Sequence, residues 1–161
     1  MSKKLKIGIV ILLVVTCIVA VIHINSQKEV PCMVIQNGDQ EISVSFADLR
    51  KGEFSGELVD GKGTVTAHSY TGILLKELLS AMGIDPAAIT ALKVTSADNY
   101  SVEFTGEEIR ADSMVYAAVT ADGKPIEGID PGTEGVQIIV FGDSNSRRCV
   151  RFASILEIIE E

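Results

Sequence analysis

The chain has 161 residues, with 14 Lys and Arg against 22 Asp and Glu and a formal net charge of −8. Beyond residue 26 the balance is 11 basic against 22 acidic residues, a formal charge of −11. So acidic a surface repels nucleic acid and anionic lipid headgroups, which excludes both as partners of the folded part. With no Trp and only three Tyr, the core must rest on Val, Ile, Leu and Ala.

Lys3, Lys4 and Lys6 precede an uncharged apolar run from Ile7 to Ile24, and no acid occurs among the first 28 residues. As a helix, about 18 residues span about 27 Å, close to the hydrocarbon thickness of a bilayer. The lysines favour a cytoplasmic N-terminus. The expectation is a transmembrane signal-anchor over residues 1–26, crossing through residues 7–24, then a short linker over 27–31. An extracytoplasmic domain follows over 32–161, giving a single-pass protein of the cell membrane. Two alternatives stand beside the anchor. Cleavage lacks an A-x-A site after Val21-Ile22-His23-Ile24. Lipidation at Cys17 has only a loose lipobox in Val14-Val15-Thr16.

In the domain, Val30–Gln36 and Glu41–Phe46 read as strands joined at Asn37-Gly38, a hairpin signal because both residues tolerate positive φ. Ala47–Arg50 reads as a helical turn. Phe54–Val59 and Thr64–Tyr70 read as a second hairpin around Asp60-Gly61-Lys62-Gly63. Thr71 then caps the main helix, whose stripe of Leu74, Leu75, Leu78, Leu79 and Met82 has helical period. Gly83 ends it, and Asp85-Pro86 opens a short second helix. Strands follow at Ala91–Ser96, Tyr100–Phe104, Met114–Thr120, Val136–Phe141, Cys149–Phe152 and Ser154–Ile159, with a helical turn at Thr105–Ile109. The expected class is α+β: a single mixed or mainly antiparallel sheet with one main Leu-rich helix.

Chemical motifs are sparse. His68 is the only His outside the apolar run, and no CxxC, HExxH or DxDxDG pattern occurs, so no metal site is expected. GxSxG, GxxxxGK[ST] and GxGxxG are also missing. Glu107-Glu108 and Glu160-Glu161 read as solvated surface. The loop Gly142–Arg148 ends in Arg147 and Arg148. Two guanidiniums there match an anion, or face solvent and offset the acidic surface. Cys32 and Cys149 lie in the oxidising part of the topology and are a candidate disulfide, or two separate thiols.

Three pieces, in this order, carry a family resemblance: Tyr70-Thr71-Gly72-Ile73-Leu74 leading into the Leu-rich helix, Ser96-Ala97-Asp98-Asn99-Tyr100, and Ala121-Asp122-Gly123-Lys124-Pro125-Ile126. Together they resemble the oxidoreductase molybdopterin-binding domain of the sulfite oxidase family, over roughly residues 40–159. The resemblance implies that family's fold and, in an active member, a Cys thiolate on molybdenum shortly before the aromatic-Gly helix entry. Here residues 57–69 hold no Cys, and Gln137 stands where the family tends to place an arginine. The expectation is a cofactorless binding module for a small ligand, an anion among the options, or for a protein; whether it is an enzyme is left open, leaning against. The alternatives are a molybdopterin-dependent oxidoreductase or redox-complex subunit that still binds the cofactor, and a structural surface component. The candidate ligand-binding residues are Tyr70, Asn99, Tyr100, Arg147 and Arg148.

Overall fold

The computed structural model describes residues 30–160. The expected signal-anchor lies outside the described residues. Among the described residues no helix is long and apolar enough to cross a membrane.

Alternation drives most of the domain into strands: β1 (Cys32–Asn37), β2 (Gln40–Ser45), β3 (Gly52–Val59), β4 (Val65–Leu74), β5 (Ala91–Ser96), β6 (Ser101–Thr105), β7 (Val115–Ala121), β8 (Lys124–Pro125), β9 (Gln137–Val140) and β10 (Ala153–Ile159). Two helices, α1 (Leu75–Ala81) and α2 (Gly106–Arg110), and a 3-10 turn at Ser146–Arg148 complete the described elements. The strands form two five-stranded sheets. The first has the order β2-β1-β10-β5-β6; the second runs β3-β4-β7-β8, with β9 also on β7. β1 and β10 are parallel, with Val34 opposite Ile155; the other strand pairs of both sheets are antiparallel.

This corrects the expected class. The protein is mostly β, with two sheets instead of one, and its main helix has seven residues. The leucine stripe misled because it straddles two elements. Leu74 ends β4, where it pairs with Tyr116 of β7, and Leu75 begins α1. Thr71 is not a cap: it sits inside β4, and its N–H donates to Thr120 Oγ1 at 3.1 Å. The position before α1 is Leu74, with no side-chain cap. Asp85 organises only a turn, accepting the Ala87 N–H at 2.9 Å. Residues 46–49 form a bend, and Val150 makes an isolated bridge to Ile138 where a strand was expected. By contrast, Thr105 does cap α2 through a reciprocal box with Glu108.

One apolar cluster joins the sheets. Met33, Ile35, Leu92, Val94, Phe104 and Leu156 of the first sheet meet Ile73, Val115, Ala117, Ile138 and Val140 of the second, with Leu75, Leu78 and Leu79 of α1 closing one side. The core is aliphatic, as the composition required. A second, smaller cluster forms around Tyr70, Ala118, Ile126 and Ile139.

Candidate functional site

The turn between β5 and β6 is built around a buried Ser96. Its hydroxyl lies within hydrogen-bond reach of the Asp98 carboxylate and of the Tyr100 carbonyl, 3.0 Å away. The Tyr100 N–H donates to Asp98 Oδ1 at 3.3 Å, and Asn99 takes φ +67° to close the turn. These bonds, the one from Ser96 first, hold the Asp98 carboxyl below its ordinary value. Tyr100 Oη then donates to the Arg147 carbonyl at 2.6 Å. Asn99, Tyr100 and Arg147 are thus brought to one corner.

Arg148 does not share that corner's chemistry. Its Nη1 donates to Glu108 Oε1 at 2.7 Å and to Asp143 Oδ1 at 3.3 Å, and its guanidinium carbon stands 4.8 Å from the Phe104 ring centroid. The neighbouring arginines therefore form no common fork for an anion. Arg147 remains exposed, with its backbone N–H taken by Asn145 Oδ1 at 3.1 Å.

Tyr70 lies elsewhere, buried in the small apolar cluster on the second sheet. Phe54 stacks on Tyr116 with centroids 4.0 Å apart and on Tyr70 at 5.4 Å, while Phe141 meets Phe54 edge-on at 6.1 Å. Half of the chain's eight aromatic rings gather here. Burial, then the Cys149 thiol and the Asp122 carboxylate, pushes the Tyr70 phenol up to about 12. Beside it, His68 Nδ1 lies 2.8 Å from Asp122 Oδ2, and Asp122 Oδ1 accepts the Ser69 N–H at 3.0 Å. The sequence reading missed this aromatic group. The signal was available in the hairpin: a turn at residues 60–63 places Phe54 opposite Tyr70.

Cys32 and Cys149, the candidate bridge, are both free thiols. Cys32 is exposed at the start of β1 in the first sheet. Cys149 is half-buried, its Sγ accepts the Val140 N–H at 3.4 Å, and burial raises its thiol above the ordinary value. Neither stands on the β3–β4 hairpin, where the family resemblance would put a thiolate. Among the described residues no group of three or more His, Cys, Asp or Glu is placed to hold a metal ion. The Phe141 ring covers Gly56 of that hairpin. These residues do not fit a thiolate-ligated molybdenum.

No family model matches the chain, and no curated protein does. Among solved structures it is similar to the crystal structure of the sulfane dehydrogenase SoxCD from Paracoccus pantotrophus. The TM-score is 0.64 at 16% sequence identity, over 81% of this chain and 38% of that one. The chain thus spans well under half the length of that neighbour. At this identity the likeness is one of fold, and it supports the resemblance read from the sequence at that level.

Proposed function

We propose that the chain is a membrane-anchored extracytoplasmic binding module that carries the sulfite-oxidase-like fold without molybdopterin. The observation that carries this reading is the β3–β4 hairpin: it has the family's fold around it but offers no thiolate, and the two cysteines of the domain lie elsewhere. A site of this kind loses a charged ligand that also tunes the metal. The anchor rests on Lys3, Lys4 and Lys6 before the apolar run.

Expression of the full chain in a host that makes molybdopterin tests the first part. The protein is expected to purify without molybdenum. Molybdenum near one atom per chain, surviving dialysis, would overturn the cofactorless reading in favour of a molybdopterin-dependent oxidoreductase subunit. Protease added to intact spheroplasts tests the second part: the domain is expected to be digested, and a protected domain reverses the topology.

A further inference from the structure

The β3–β4 hairpin reaches past the sheet that carries it. β4 pairs with β7 only from Tyr70 to Leu74. Its first half, residues 65–69, has β3 on one edge and, among the described residues, no strand on the other. Val65, Thr66 and Ala67 are all exposed, and so is Glu57 across from them. Val65 is 54% exposed, more than any other large apolar side chain among the described residues. A two-stranded ribbon on its own is marginal in water. This one is held at its tip. Asp60 Oδ1 accepts the Lys62 and Thr64 N–H groups, both at 2.8 Å, and the Asp60 N–H donates to the Thr64 carbonyl at 2.9 Å.

In an antiparallel ladder, alternate residues turn both of their backbone groups to the same side. Ser69 is turned away from β3: its N–H donates to Asp122 Oδ1 at 3.0 Å, and its carbonyl accepts the Asp122 N–H at 2.7 Å. Ala67 and Val65 share the phase of Ser69, so they present N–H and C=O to the open edge. The other strand edges carry the usual guards against pairing. β2 has Glu41, β3 has Glu53 and Glu57, β6 has Glu103, and β8 is Lys124-Pro125. On β9, Ile138 is bridged to Val150. Residues 63–67 carry no charge at all, in a chain with a formal net charge of −8.

We infer that this open edge of β4 pairs antiparallel with the same edge of a second copy of the chain, with Thr66 on the two-fold axis. Alignment about Thr66 sets Val65 against the second copy's Ala67, and Ala67 against its Val65. Each pair exchanges both N–H···O bonds, so the outward backbone groups of the two residues are all satisfied. Thr66 then faces the second copy's Thr66, and no like charges meet in the register. Two arguments favour a second copy over a foreign strand. The segment is its own complement in this register, and without charge it gives a foreign chain nothing to be steered or selected by. Copies anchored through residues 7–24, with the same short linker, also hold this edge at one height above the bilayer. A two-fold axis along the membrane normal needs that equality. This second argument rests on the anchor of the function proposed above. The contact is small, so it serves as a weak pairing of anchored copies, whose confinement to one membrane raises their effective concentration.

The test uses the full chain in phosphatidylcholine liposomes, with Cys17→Ser and Cys32→Ser as background. Thr66→Cys is expected to give a disulfide-linked dimer on mild oxidation. Residues of a non-hydrogen-bonded antiparallel pair stand about 4.5 Å apart at Cα, within disulfide reach. Ser43→Cys, exposed on the edge strand β2, should cross-link about tenfold more slowly or less. Val65→Pro removes only an outward N–H and leaves the ladder to β3 in place. It should slow the Thr66→Cys cross-link about tenfold with the melting temperature nearly unchanged. Energy transfer between copies labelled at the C-terminus gives a second reading that needs no proline. Thr66→Glu and Thr66→Lys should each abolish the transfer alone and restore it when mixed, because opposite charges then meet on the axis. Cross-linking at Thr66→Cys no faster than at Ser43→Cys overturns the inference, and so does transfer that mixing fails to restore. A chain whose domain is digested outside intact spheroplasts but does not self-associate removes this inference alone. A protected domain removes the anchor, whatever the cross-linking shows.

Discussion

Phe141 lies on Gly56: a Cβ at Gly56 would stand 2.4 Å from the Phe141 ring. The ring is held by Phe54, Tyr70 and Tyr116, so it cannot swing aside freely. Gly72 meets a harder obstacle, because its Cβ would stand 2.2 Å from the Ala117 carbonyl oxygen, at the register shift between β4 and β7. Gly56→Ala is expected to cost about 1–3 kcal/mol by overpacking. Gly72→Ala should cost more, about 3 kcal/mol or above, since backbone must move. Thermal melts of both variants give the order, and a harmless Gly72→Ala would remove the close approach. Near-UV circular dichroism should change with Gly56→Ala, which displaces the aromatic group.

Leu75 and Leu78 are both 0% exposed beneath the two sheets. Replacing either with Ala is expected to cost about 2–5 kcal/mol, through lost transfer energy and a residual cavity. Denaturant unfolding checks this. A cost under about 0.5 kcal/mol would mean that the short helix is not part of the core.

Period-two patterns made most strands legible. Ala91–Ser96 appears with the expected bounds, and the Asn37-Gly38 signal gives a hairpin whose turn is shifted to Gly38 and Asp39. The sequence overstates the helix because leucines buried in a central strand and leucines of a helical stripe look alike in one dimension. Only the pairing of β4 with β7 separates them. The second sheet was invisible for a related reason: which strands share a sheet is decided by distant contacts such as Val34 with Ile155. The same holds for the site. Asn99 and Tyr100 could be picked from a turn, but the bond from Tyr100 to Arg147 and the capture of Arg148 by Glu108 join segments far apart in sequence. Phe152 sits in a run with β-forming residues, and nothing local announces its positive φ.

Tyr70 gives an alkaline signature. Its phenol is raised from 10 to about 12, burial being the leading cause. The folded state then keeps a proton that the unfolded state releases above pH 10. Stability therefore falls as pH rises from 10 towards 12. Absorbance at 295 nm should show an ionisation step near pH 12 that Tyr70→Phe removes. The same variant should lose less melting temperature than the parent over that range. An unchanged titration would place Tyr70 in contact with water.

Arg148 and Glu108 set the acid side. The hydrogen bond from Arg148 comes first among the causes that hold the Glu108 carboxyl below its ordinary 4.5, and burial opposes it. A carboxyl lowered on folding adds stability above its unfolded value, which is lost as pH falls through the folded one. Arg148→Ala removes that contribution and also leaves Asp143 without its cation, although Asp143 Oδ2 is already buried without a hydrogen-bond partner. The expected cost near neutral pH is about 1–2 kcal/mol, kept modest because both side chains are partly wet. The deficit of Arg148→Ala against the parent should shrink as pH drops below 4.5, where Glu108 of the unfolded chain takes up a proton first and that of the folded parent follows at lower pH. Asp60, Asp98, Asp112 and Asp122 are also lowered on folding, so each protein alone weakens in acid and only the difference reports the pair. Arg148→Lys should recover part of the loss, because it keeps the charge but not the geometry that meets Glu108 and Asp143 together. Melting temperatures of the three proteins between pH 7 and pH 3 decide this. A deficit that stays constant across that range would assign the role of Arg148 to its packing on Phe104 instead of to its ion pair.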